Sequence, residues 1–99
     1  MIDFHRIAGF QWDAGNAIKS LVKHGVTQAE AEEIFFNQPL LVSTDDKHSH
    51  QESRYLALGV TSPGVLLSVV FTLRKNATLI RVVSARPMSK RERAFYEKA

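Results

Sequence analysis

Arginine is the residue type most concentrated where this chain could do chemistry. Arg81, Arg86, Lys90, Arg91 and Arg93 fall within Leu79 to Tyr96, and Arg54 heads an earlier apolar run. A guanidinium offers a planar fork of donors suited to phosphate, so the span reads as a cationic platform for a polyanion. The competing reading is a solvated face, with Arg81 paired to Glu52 or Asp46. Arg81 and Arg86 have opposite parity along an extended strand and converge only if the strand ends or bulges near Ser84. His24 and Lys23 stand just before Gly25. They are either a charge-favoured helix end or a group titrating near neutrality beside a fixed cation. Asp45 to Glu52 holds two histidines and three carboxylates, but its spacing fits no compact zinc signature, so a solvated loop is preferred and no metal or other cofactor is expected. Trp12 and Tyr96 are aromatics that either pack on the core or stack on a base.

The charge distribution supports the platform. The 99 residues have a net charge of +3. Residues 1–53 hold four basic and eight acidic side chains, a net −4, whereas residues 54–99 hold nine and two, a net +7. Concentrated positive charge favours an acidic partner such as nucleic acid. The absence of cysteine excludes disulfides and thiolate chemistry and suits a cytoplasmic location. No window is apolar for about 18 residues, so no membrane span is expected.

The elements that must position these residues follow from periodicity. Asp13 is a good N-cap, and Ala14, Ala17, Ile18, Leu21 and Val22 behind it recur as one helical stripe, expected to be buried. Gly25 ends that helix. Thr27 with Glu30, and Ser89 with Glu92, form capping boxes that open two further helices. Strands are expected over 40–44, 54–60, 65–73 and 78–84, with the third of these central and Pro87 as a stop. Phe4 to Trp12 reads as a short strand interrupted by Gly9. Helices, then hairpin-linked strands, then a helix predict one α+β domain over residues 1–99: two short N-terminal helices packed on a small, mainly antiparallel sheet, and a C-terminal helix.

Taken in order, Phe10-x-Trp12-Asp13, Lys23-His24-Gly25-Val26, the helix from Glu30 and Ala31 to Phe35, the histidine-acid loop ending at Glu52 and Arg54, Gly59, Ile80 to Arg86, and Arg91-Glu92-Arg93 with Tyr96 resemble the BrnT toxins of bacterial type II toxin–antitoxin systems. On the first helix this chain has Asn16, Ala17 and Ser20 where the family often has a lysine and asparagines. The resemblance implies a RelE-like fold and an endoribonuclease that inhibits translation. It also implies a BrnA-like antitoxin that neutralises the toxin and contacts DNA, so that the toxin meets DNA only indirectly. RNA can be cut without metal by attack of its own 2′-OH on the adjacent phosphate, which needs a proton acceptor, a proton donor and cations for the developing charge. In that reading Arg81 and Arg86, helped by Arg54, stabilise the charge. His24 or Glu52 exchanges protons, and Lys23, Lys90, Arg91, Tyr96 and Trp12 hold the RNA. The alternatives are a non-catalytic nucleic-acid-binding module and a surface that serves only a protein partner.

Overall fold

A computed structural model describes residues 2–48 and 52–99. Five strands form one sheet in the order β1-β5-β4-β3-β2, where β1 is Gly9–Gln11, β2 Leu41–Thr44, β3 Tyr55–Val60, β4 Leu66–Arg74 and β5 Leu79–Pro87. The last four form an antiparallel meander, and β4, the most apolar, lies at the centre. β1 departs from the expected pattern. It starts at Gly9, after a 3-10 turn at Phe4–Arg6, and joins the edge of β5 in parallel.

Helix α2 (Gln28–Glu33) and the 3-10 turn after it cover one face of the sheet. Val26, Ala31 and Ile34 are buried there with Ala57, Val69, Phe71 and Val82, and the Phe35 ring meets Phe71 edge-on at 5.3 Å. Helix α3 (Lys90–Tyr96) covers part of the opposite face, where Leu58, Met88 and Tyr96 form a second, smaller cluster. The capping boxes at Thr27/Glu30 and Ser89/Glu92 are both closed.

Helix α1 (Ala14–His24) is capped by Asp13 and ends at Gly25, which has φ 69°. Its stripe, however, is not buried: Ile18, Leu21 and Val22 are 61%, 50% and 79% exposed, and Ser20 is the buried residue. The reason lies in the sheet edge. β1 pairs with only Leu79 to Arg81, so the rest of β5 has an open edge, and α1 runs along it. Ser20 Oγ accepts the Ala85 N–H at 3.2 Å, supplying a bond that β1 is too short to make.

Gly59 allows the close approach of α2 to the sheet. A Cβ at this position would lie 2.7 Å from the Ile34 Cβ, inside van der Waals contact. Gly59→Ala is expected to cost about 1–3 kcal/mol through overpacking, read as a lower urea midpoint.

Candidate functional site

A bulge turns Arg81 and Arg86 to one face of the sheet. Val70 pairs with Ser84 and Phe71 with Val82, leaving Val83 without a partner across the ladder. The extra residue resets the alternation. Val83 and Ser84 consequently line the same hollow, on the face opposite the main core. Arg81, two residues before Val83, and Arg86, two after Ser84, project to that face as well.

This hollow has a volume of about 360 Å³. Leu56, Val70 and Val83 form an apolar floor, and Arg54, Arg86, Asp45, Thr44 and Ser84 supply its polar groups. Arg54 arrives because β2 and β3 remain in register to their ends: beyond the Thr44–Tyr55 pair, the Asp45 N–H donates to the Arg54 carbonyl at 2.7 Å. Arg54 and Arg86 bring two positive charges beside this apolar floor, and Asp45 in the lining and Glu92 on Arg86 bring two negative ones.

Glu92 fixes Arg86 in place. Arg86 donates to its two carboxylate oxygens at 2.7 and 2.9 Å, and also to the Pro87 carbonyl at 3.2 Å. Glu92 accepts from the Ser89 N–H at 2.8 Å and from the Ser68 hydroxyl at 3.4 Å. The hydrogen bonds from Arg86 hold the Glu92 carboxyl below its ordinary pKa, against the opposing effect of burial. The same bonds with Glu92 raise that of Arg86. A guanidinium has five N–H donors. Those left over by Glu92 and Pro87 can reach a ligand.

The remaining expected site residues are spread more widely. Arg81 is half-buried and pairs with Asp13 at 3.5 Å, outside the hollow. Its partner is therefore neither Glu52 nor Asp46. Glu52 binds Arg74 at 2.9 Å. Asp13 meets Arg81 and Ser20 meets Ala85, so α1 runs beside β5 in the same direction. His24, one turn beyond Ser20, is carried toward the Arg86 end of the strand. Lys23, Lys90 and Arg91 are exposed and do not line the hollow. Tyr96 is only 6% exposed, and its hydroxyl donates to the Pro39 carbonyl. Burial raises its pKa, and its ring is not available to stack on a base. Trp12 packs against the main core, with its indole N–H donating to Glu32 at 2.7 Å.

Asp45, which the sequence puts in the polar loop, lines the hollow without having been singled out as a site residue; its backbone N–H bond to the Arg54 carbonyl makes it the next step of the hairpin. Part of the histidine-acid loop, residues 49–51, lies outside the described residues. Among the described residues no cluster of three or more His, Cys, Asp or Glu gathers as a metal site. Nor is any helix among them long and apolar enough to cross a membrane.

The chain is thus a small mixed α+β fold with an arginine-lined hollow on one face of its five-stranded sheet. The family model described as "Ribonuclease toxin, BrnT, of type II toxin-antitoxin system" matches residues 12–92. The chain belongs to this family, which implies an RNA target and an antitoxin protein partner. Its fold is similar to the crystal structure of the Brucella abortus ribonuclease toxin, BrnT, with a TM-score of 0.61 and 22% identity over 83% of this chain and 97% of that one. A comparison with curated proteins finds no match.

Proposed function

We propose that this protein is a metal-independent endoribonuclease of RelE-like fold, acting in the cytoplasm to inhibit translation and neutralised by a BrnA-like antitoxin through which alone it meets DNA. The observation that carries the reading is the sharing of one hollow by Arg54 and Arg86, whose strands meet there through Leu56 and Ser84, the partners of Val70 on either side. The scissile phosphate sits between these two guanidinium groups, and Arg81 adds positive charge from the same face. The 2′-OH attacks the phosphorus, the bond to the 5′-oxygen breaks, and a 2′,3′-cyclic phosphate forms. In this scheme Asp45, which lines the hollow, accepts the hydroxyl proton, and His24, at the C-terminal end of α1, returns one to the leaving oxygen. Glu52, held by Arg74, is a partner of that arginine in this scheme rather than a proton carrier. Lys23, Lys90 and Arg91 hold the backbone of the flanking RNA, which gives affinity with little sequence selection.

The test is cleavage of single-stranded RNA in EDTA. Fragments ending in cyclic phosphate are expected, with no cutting of a strand that carries 2′-deoxyribose at the scissile position. Loss of activity on chelation, or cutting of the deoxy strand, rejects the mechanism. Arg54→Ala should lower the rate of the folded protein about 100-fold. Salt-sensitive RNA binding without any cleavage would instead favour the binding-module reading.

A further inference from the structure

β2 is an edge strand: it pairs with β3 on one side and with nothing among the described residues on the other. Such an edge presents unpaired backbone groups to any extended segment of suitable shape. At β2 both faces beside that edge are hollowed and apolar. On one face a groove of about 560 Å³ lies between β2 and the end of α3, with Phe95 and Lys98 in its wall. Phe95 is 65% exposed although it is a large aromatic. On the other face a hollow of about 410 Å³ is walled by Phe4 and Tyr55. Leu40, Val42 and Ser43 line both. Side chains of a strand alternate between faces, so one added strand would fill the two hollows in turn.

Charge selects the occupant. Lys98 lines the groove, and Arg91 shares the Phe95 face of α3, one turn earlier. Leu56 lines both the groove and the arginine hollow, so the two adjoin. A second copy pairing edge to edge would bring these like charges together, whereas an acidic segment is drawn to them.

We infer that the antitoxin neutralises this toxin by adding an extended segment to the open edge of β2, its apolar side chains entering the two hollows and its acidic side chains facing Arg91, Lys98 and the Arg54–Arg86 hollow. The last of these contacts rests on the ribonuclease reading. The docking itself does not, and its measurement requires no cleavage.

Calorimetric titration of the full-length toxin with its purified cognate antitoxin tests the assignment, together with amide exchange of the complex. Phe95→Lys should weaken binding about 30-fold, the effect of losing a central aromatic anchor. Val22→Lys, on the exposed stripe of α1, should leave binding unchanged. The amides of Leu41–Thr44 should exchange more slowly in the complex. Phe95→Lys toxin should still cut RNA at the parental rate yet resist the antitoxin. Unchanged affinity in Phe95→Lys, lost affinity in Val22→Lys, or unprotected Leu41–Thr44 amides would each overturn the proposal. So would a toxin dimer that Phe95→Lys dissociates, which would assign the edge to a second copy.

Discussion

Arg86→Lys is expected to lower single-turnover cleavage of RNA by about 100- to 1,000-fold at neutral pH while leaving the fold intact. The size follows from what removing one preorganised donor costs where charge develops in a transition state. Lysine keeps the positive charge but loses the planar fork. Arg86 has two tasks at once: it is anchored by both oxygens of Glu92, and it offers its remaining donors to the hollow. An ammonium can point toward Glu92 or toward a phosphate, but it cannot hold both in fixed geometry. Circular dichroism and a urea midpoint close to those of the parent would show that the loss is chemical. Cleavage within threefold of the parental rate would remove Arg86 from the site and leave Arg54 to account for phosphate binding.

Much of the scaffold was legible because its signals are local. The two capping boxes, the Asp13 cap and the Gly25 stop each depend on residues within a turn of one another. The centrality of β4 follows from its long apolar run, interrupted only by Ser68 and Thr72 before Arg74. Features set by distant neighbours were not legible in this way. The periodicity of α1 shows that Ile18, Leu21 and Val22 share a face, but not that α2 already covers the sheet and leaves α1 at its edge. The parallel pairing of β1 depends on residues about seventy positions away.

The candidate site follows the same division. Arginine content pointed to phosphate, and the parity of Arg81 and Arg86 defined the condition for convergence, yet the bulge itself is a property of the β4–β5 register. Glu92 was visible as the third residue of a capping box. Its second role, as the partner of Arg86, arises only when the end of β5 folds back beside the start of α3. The position of Tyr96 on a basic helix allows either packing or function, and in the structure its ring is buried and its hydroxyl donates to the Pro39 carbonyl.

That second role of Glu92 predicts an acid-sensitive fold. Its carboxyl is held below the ordinary value in the folded chain, so the unfolded chain binds a proton more readily as the pH falls. The stabilisation is therefore fully present above the unfolded carboxylate pKa and is lost as the pH drops through the lowered folded value. Arg86 shifts in the opposite direction, upward, so its contribution persists at every pH below its ordinary value and does not shape the acid limb. Glu92→Gln removes the charge but retains an oxygen able to accept the Ser89 N–H, which separates the ion pair from the helix cap. Two charge-assisted hydrogen bonds are affected, but the Arg86 side chain is 40% exposed and partly screened. A loss of about 1–2 kcal/mol at pH 7 is expected. At pH 3 the gap between parent and variant should be narrower than at pH 7, because the carboxyl of the unfolded parent has by then taken up its proton. Urea titrations at the two pH values measure the difference. An equal gap at both would mean that Glu92 stabilises the chain through shape and capping alone. Cleavage provides a second readout: freed from its anchor, Arg86 should still attract RNA but no longer hold the phosphate in place. The variant is therefore expected to lose kcat with little change in KM, whereas a purely structural role for Glu92 would leave both constants of the folded fraction unchanged.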